Sequence, residues 1–249
     1  MDSIFIWEKE YFKPVTSLSI ALISFLFYHF ITNSGSLNKK FQMKFGPNRA
    51  QEFWIHFRQL TGFILLGGIP FLVVLFILKE KISAFGLSLS LSNRVLYYIV
   101  ILSAIIVLIN FFASKSRNNQ NKYPLIRTKV WDIKLLISSL SGWIIYLLAY
   151  EFLFRGFLLF VCIQSFGIWP AIIINIIVYS LAHVPQGSNE AVGAIPFGLV
   201  LCVVVVLSGN IWPAFLLHTV LAVSNEWLSI RNNDEITFRF FSSDQRKIK

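Results

Sequence analysis

Ionisable side chains interrupt otherwise apolar stretches in the second half of the chain. Glu151 and Arg155 lie in the run AYEFLFRGFLL, while His183 and His218 each lie in a separate apolar stretch. Charged groups inside segments of this kind are costly and are commonly functional. A carboxylate or an imidazole can deprotonate water, and an imidazole can also stabilise an oxyanion. These residue types therefore indicate a centre that could hydrolyse a peptide bond.

The polar residues recur at helical spacing, which predicts that they share helix faces. Residues four apart in sequence lie on one face of an α-helix, and residues seven apart return to it. Three stretches show this spacing, and they contain Glu151 and Arg155, then Asn175, Tyr179 and His183, then His218 and Asn225. A shared interior cavity is the least costly destination for three polar helix faces within a membrane.

Simpler interpretations stay open for each of these residues. Glu151 and Arg155 could form an ion pair that only fixes helix packing, Asn175 could make an interhelical hydrogen bond, and either histidine could be structural. A buried acid with two histidines could also relay protons in a small transporter, although the sequence shows no internal repeat. The same three groups could bind zinc, but the sequence lacks the HExxH spacing, so ligand spacing does not support a divalent metal.

The composition indicates that lipid is the main solvent of this chain. Of the 249 residues, 56% are hydrophobic and only 14% are charged, and the mean hydropathy is +0.67. A membrane span needs about 20 mainly apolar residues. We predict an all-α, polytopic membrane protein with about seven transmembrane helices and a polar cavity among the C-terminal helices. The predicted spans cover residues 15–31, 60–78, 95–113, 133–166, 169–183, 194–207 and 211–228.

The charge pattern predicts the partner and the orientation of the chain. Lys and Arg number 22 against 12 Asp and Glu, and basic residues such as Lys39, Arg58 and Lys115 fall in the predicted loops after the first and third spans. The positive-inside rule then puts these loops and the C-terminal tail in the cytoplasm. Because the basic residues flank apolar segments, we expect membrane lipid and not nucleic acid as a partner. Cys162 and Cys202 lie in apolar runs and indicate neither a disulfide nor a metal site.

Three stretches resemble the motifs of the CAAX protease and bacteriocin-processing family of intramembrane peptidases. They are EFLFRGFLL, then YSLAH, then NIWPAFLLHTVLAVSN. The family shows Glu-Glu-x-x-x-Arg, then Phe-x-x-x-His, then His-x-x-x-Asn or Asp, and the order and spacing match over residues 150–225. The resemblance implies that Glu151 is the second glutamate, Arg155 the arginine, and His183 and His218 the two histidines.

This chain departs from the family's pattern at two positions that matter for chemistry. Tyr150 occupies the position of the first glutamate, to which the resemblance assigns activation of the attacking water, and a tyrosine hydroxyl is a poor base at neutral pH. Ala222 occupies the asparagine position, which removes an oxyanion donor. Asn225 lies one helical turn further on. Tyr179 stands in place of the family's phenylalanine.

The resemblance implies an intramembrane endopeptidase that acts on a peptide or a lipidated protein, such as a CAAX-type C-terminus or a bacteriocin precursor. The catalytic residues would then be Glu151, His183 and His218, with His183 as the main base, His218 stabilising the oxyanion and Glu151 shaping the site. The supporting residues would be Arg155, Tyr150, Tyr179, Asn175 and Asn225. The alternative is a catalytically silent member that serves as a membrane scaffold or bacteriocin-immunity protein.

The predicted organisation has three parts. An N-terminal transmembrane region covers residues 1–130, a peptidase core covers residues 131–230, and a polar cytoplasmic tail covers residues 231–249. We expect the chain in a bacterial cytoplasmic membrane. Neither a cofactor nor an oligomeric state follows from the sequence.

Overall fold

Helices make up most of residues 8–88 and 91–239, which are the part of the chain that this computed structural model describes. The α-helices are α1 (Lys9–Thr32), α2 (Gly35–Phe45), α3 (Pro47–Gly62), α4 (Ile69–Leu72), α5 (Asn93–Ala113), α6 (Arg117–Gln120), α7 (Ile133–Glu151), α8 (Leu159–Phe166), α9 (Ile168–His183), α10 (Ser188–Ser208) and α11 (Trp212–Arg231). Further helical turns are π-helical at Phe63–Gly68, Val73–Leu78 and Phe152–Leu158, and 3₁₀-helical at Ile82–Phe85 and Val184–Gln186.

Six helical segments in the described part are long and apolar enough to cross a membrane. They are Lys9–Thr32, Arg49–Leu78, Asn93–Ala113, Ile133–Phe166, Ile168–Gln186 and Ser188–Ser208. They confirm the predicted polytopic, all-α membrane fold. The predicted seventh span is also a helix, α11, but it is not one of the six, because polar residues such as His218, Asn225 and Glu226 interrupt its apolar sequence.

The second span begins earlier than the sequence predicted. The helix starts at Pro47 and continues through α3, α4 and two π-helical segments to Leu78. Arg58 therefore lies inside a candidate membrane span, so its assignment to a loop was wrong. The expectation that intramembrane charges are confined to the second half of the chain was wrong for the same reason. Local hydropathy failed here because the first turns of α3 are polar although the helix is continuous.

The continuous helix Ile133–Phe166 lies at the centre of the bundle. In the most apolar 18-residue stretch of this helix 72% is buried. The corresponding value for α5, which packs mainly against α11, is 11%. Asp132 is the N-cap of this helix, and its Oδ1 accepts a hydrogen bond from Leu135 N at 2.8 Å. The π-helical segment Phe152–Leu158 lies at mid-length, and all of its residues are buried. Such π-helical turns are rare and are frequent at functional sites.

Contacts between loops identify two opposite ends of the bundle. At the first, which we call the Lys122 end, Lys122 pairs with Glu190 at the start of α10, with 3.2 Å between Nζ and Oε1. At the second, the Gly86 end, Ile211 N donates to the carbonyl of Gly86 at 3.0 Å just before α11 begins. Helix α10 therefore runs from the Lys122 end to the Gly86 end, and α11 runs back.

A two-stranded parallel sheet joins the start of α7 to the segment after α11. Strand β1 (Val130–Asp132) pairs with β2 (Thr237–Arg239), with Trp131 opposite Phe238. Trp131 is completely buried there, in a small apolar cluster with Ile126 and Ile230. The basic loop before α7 and residues 237–239 consequently lie together at the Lys122 end. That this end faces the cytoplasm stays a prediction.

A close contact between Gly67 and α7 sets the distance between the second span and the central helix. A Cβ atom at Gly67 would lie 2.7 Å from Ala149 Cβ and 3.2 Å from its Cα, whereas carbon atoms normally pack about 3.5–4.0 Å apart. We expect Gly67→Ala to reduce the free energy of unfolding by about 1–3 kcal/mol, because the two helices must separate. Thermal unfolding in detergent measures this change.

Gly68 supplies the matched control for this substitution. It lies in the same π-helical segment, but the nearest atom to its Cβ position is Phe63 O at 4.0 Å. Gly68→Ala should therefore leave the unfolding temperature nearly unchanged. Equal effects of the two substitutions would show that the backbone conformation, and not the contact with Ala149, requires glycine.

Candidate active site

Glu151 is held between an arginine and a histidine in the interior of the bundle. Arg155 Nη1 lies 3.2 Å from Glu151 Oε2, and His218 Nδ1 lies 2.5 Å from Glu151 Oε1. Glu151 and Arg155 are both completely buried, and His218 is 8% exposed. The pair comes from one helical turn of the central helix, whereas His218 comes from α11. The structure therefore brings together three residues that the sequence analysis assigned to one site.

The carboxylate of Glu151 contacts Arg155 and His218, and Glu151 does not line the cavity described below. Arg155 is fixed in addition by Tyr179, whose ring centre lies 4.0 Å from the guanidinium carbon. An ion pair that is buried and bonded on several sides fixes geometry more than it adds net stability. The contacts of Glu151 and Arg155 therefore fix the positions of His218 and Tyr179.

His183 has one ring nitrogen in use and one available. Its Nδ1 lies 2.8 Å from the backbone carbonyl of Tyr179, one turn earlier in α9. A carbonyl oxygen can only accept a hydrogen bond, so Nδ1 carries the proton in this contact. The lone pair of the neutral ring is then on Nε2, and His183 lines the cavity. An imidazole in this tautomer can accept a proton from water.

Tyr150 lies between the two histidines. Its ring centre is 6.1 Å from that of His183 and 5.8 Å from that of His218, and both pairs are edge-on. Tyr179 completes the group, with its ring centre 4.5 Å from His183. The position that the resemblance gives to the water-activating glutamate is thus at the centre of this group, and an aromatic ring fills it.

A cavity of about 670 Å³ opens beside these rings. The residues of the predicted site that line it are Tyr150, Tyr179, His183, His218 and Asn225, together with Ala222. Asn225 Oδ1 is buried and has no hydrogen-bond partner among the described residues. Its side chain therefore provides a polar group for a molecule that occupies the cavity.

Asn175 lies away from the cavity and joins helices. Its Nδ2 donates to the carbonyl of Phe154 at 2.6 Å, and its Oδ1 is 3.3 Å from the thiol sulfur of Cys202. Phe154 belongs to the π-helical segment, and its carbonyl also accepts a hydrogen bond from the backbone N–H of Leu159. Of the two interpretations open at the sequence level, the contacts fit interhelical hydrogen bonding.

The cavity is continuous with the outer, apolar surface of the bundle on one side. Ile105 and Ile109 of α5 both line it, and they are 48% and 59% exposed. Phe197 and Val200 of α10 also line the cavity. In a membrane this opening would face lipid, so an apolar chain could enter without passing through water.

Three charged residues in the bundle were not recognised as site candidates from the sequence. Arg58 lines the cavity from α3, and Glu190, the partner of Lys122, lines it from α10. Glu226 is 1% exposed, and it accepts hydrogen bonds from Ser139 Oγ and from Trp143 Nε1, the latter at 2.9 Å. Trp143 and Ser139 lie four residues apart, so their polar groups share one face of α7. This pair of donors was the sequence signal that a buried acceptor, here Glu226, packs against that face.

Metal ligands do not cluster in the part of the chain described here. No group of three or more His, Cys, Asp or Glu side chains within residues 8–88 and 91–239 is arranged to hold a metal ion. Glu151 and His218 contact each other directly, and His183 turns its Nδ1 to its own helix. The arrangement is that of a hydrogen-bonded acid–histidine pair with a second histidine nearby.

Comparison with known proteins agrees with the motifs. No curated protein and no solved structure was found to match the chain. Residues 132–224 match the sequence model of the family described as type II CAAX prenyl endopeptidase Rce1-like. This range includes Glu151, Arg155, His183 and His218. The match covers less than half of the chain, and it confirms the resemblance to the CAAX protease family on which the site was predicted.

Proposed function

We propose that this protein is an intramembrane endopeptidase that hydrolyses a peptide bond in a peptide or lipidated protein bound in the cavity. The observation that carries the proposal is that His183 and His218 line one cavity, while Nδ1 of each is bonded to a protein acceptor. The other ring nitrogen of each histidine, Nε2, therefore remains available to react with a substrate. The family match supports an endopeptidase-like role of this kind.

The chemistry needs one base and one oxyanion donor. His183 Nε2 takes a proton from water as the water oxygen attacks the scissile carbonyl carbon. When His218 carries both ring protons, its Nε2–H donates to the resulting oxyanion while its Nδ1–H stays on Glu151. The tetrahedral intermediate then collapses, the C–N bond breaks, and His183 returns the proton to the leaving amine.

The shape of the cavity supports a substrate that reaches it from the membrane. The cavity wall includes Ile105, Ile109 and Phe197, which would accommodate a lipid chain or an apolar peptide segment. A CAAX-type C-terminus combines these two features. A bacteriocin or peptide precursor with an apolar segment would fit the same opening.

A second candidate function is binding without turnover, as a scaffold or immunity protein. The observation that favours it is the Tyr150 ring between the two histidines, at the position where the family has its glutamate. Ala222, which also lines the cavity, lacks the amide of the family's asparagine. Tyr150 thus replaces the family's base, and Ala222 replaces its oxyanion donor.

A cleavage assay with purified protein in lipid nanodiscs tests both candidates. The substrate is a farnesylated CAAX-type peptide, and mass spectrometry follows its products. We expect the wild type to cleave, and Tyr150→Glu to raise kcat/KM about tenfold or more, because a well-placed base contributes about 10²–10⁴-fold. Tyr146→Glu, one turn earlier in the same cavity wall, should give no increase.

The outcomes separate the two candidates. Cleavage by the wild type that depends on His183 supports the peptidase. A wild type that binds the peptide without cleaving it, combined with cleavage by the Tyr150→Glu, Ala222→Asn double variant, identifies a silent member with the family's fold. No binding and no cleavage by any variant would exclude this class of substrate.

A further inference from the structure

Arg58 is a cation inside a candidate membrane span, and no carboxylate of the described residues pairs with it. Its Nε is buried and has no hydrogen-bond partner among the described residues. Arg58 is the one lysine or arginine of the described residues that lines the 670 Å³ cavity. The cavity is also lined by a carboxylate, Glu190, but Glu190 is paired with Lys122. A charge inside a membrane span is costly unless it meets a group of opposite sign, so Arg58 offers a site for an anion.

A row of aromatic rings leads from Arg58 to the histidines. Arg58 interacts electrostatically with Tyr28, whose ring centre lies 5.9 Å from that of Tyr146. Tyr146 is 5.6 Å from Tyr150, and Tyr150 is 6.1 Å from His183. All four of these rings line the cavity. An extended peptide rises about 3.3–3.6 Å per residue, so about five residues at most separate a bond held at His183 from a group held near Arg58.

We propose that Arg58 binds the C-terminal carboxylate of the peptide that occupies the cavity. The inference rests on the proposed function in one respect, namely that the cavity receives a peptide. A guanidinium group matches a carboxylate in two parallel hydrogen bonds, and the side chain of Arg58 lines the cavity. Within a few residues of the scissile bond, the terminal carboxylate is the one negative charge that every peptide with a free C-terminus carries. Arg58 thereby selects substrates that end close to the site.

A binding experiment tests this assignment without relying on cleavage. Two fluorescent apolar peptides of identical sequence are used, one ending in a free carboxylate and the other in a carboxamide. The protein is held in nanodiscs of phosphatidylcholine, which carries no net charge. We expect the wild type to bind the carboxylate peptide about ten- to a hundredfold more tightly, the usual range for a charge-assisted hydrogen-bonded pair.

Variants of Arg58 locate the effect. Arg58→Gln should remove the preference for the carboxylate and leave carboxamide binding unchanged, while Arg58→Lys should retain part of it because the charge remains. Arg49→Gln is the matched control. Arg49 lies on the same helix and is exposed, with its guanidinium over the ring of Phe53 and outside this cavity. That variant should keep the full preference.

Each contrary result has a distinct meaning. Equal binding of both peptides by the wild type would overturn the role of Arg58 and leave the proposed function standing. Binding of neither peptide would overturn both. A preference that survives Arg58→Gln would assign the carboxylate to another residue and overturn the proposal.

Discussion

Replacing His183 by glutamine lowers kcat/KM for peptide cleavage by about 10²–10⁴-fold, the range for loss of a general base. Glutamine keeps much of the size of the ring and can still donate to the carbonyl of Tyr179, but it has no basic nitrogen. The loss should fall on kcat more than on KM, because the proton is taken in the transition state. Steady-state kinetics in nanodiscs measure both constants.

His29→Gln provides the control for this experiment. His29 lies near the end of α1, where it is hydrogen-bonded to Asn33 and does not line the cavity. The variant should cleave at the wild-type rate. If His183→Gln were folded and equally active, the base would have to be another group, and the assignment of Nε2 would be wrong.

Replacing Glu151 by alanine destabilises the folded protein by about 3–5 kcal/mol. The change leaves Arg155 completely buried without its counterion and removes the acceptor of His218 Nδ1. The cost of an uncompensated buried charge exceeds the net contribution of the intact pair. Chemical denaturation in mixed micelles, followed by tryptophan fluorescence, measures the change in the free energy of unfolding.

Two further variants show whether the unpaired charge causes this loss. Glu151→Ala combined with Arg155→Met should recover part of the stability, because no buried charge is then left alone. Glu190→Ala removes the partner of Lys122 in a partly exposed ion pair, with side chains 29% and 35% exposed, and should cost about 1 kcal/mol or less. A double variant less stable than Glu151→Ala would contradict the explanation.

Residue spacing predicted much of the site because helical periodicity acts locally. Glu151 and Arg155 do pair at one helical turn, and Tyr179 and His183 do share the cavity wall. The direct contact between His218 and Glu151 did not follow from spacing, since it joins residues 67 apart on different helices. That contact depends on how α11 packs against α7, which periodicity does not determine.

Arg58 shows why part of the site was not predictable. The predicted span began at residue 60, because the polar first turns of α3 lower the local hydropathy. Helix continuity from Pro47 carries Arg58 into the bundle, and the depth of a residue depends on the tilt and packing of the whole helix. The π-helical segments were also unforeseen, since a single inserted residue in a helical turn leaves no mark on hydropathy.

Glu151, Arg155 and His218 come from two different helices, and this determines the order in which they assemble. Glu151 and Arg155 lie on one helix, so their charges can neutralise each other as soon as that segment enters the bilayer. His218 belongs to α11, which leaves the ribosome after the other helices of the described residues. The nascent chain therefore carries Glu151 and Arg155 as a neutral pair first, and His218 joins them only when α11 is inserted.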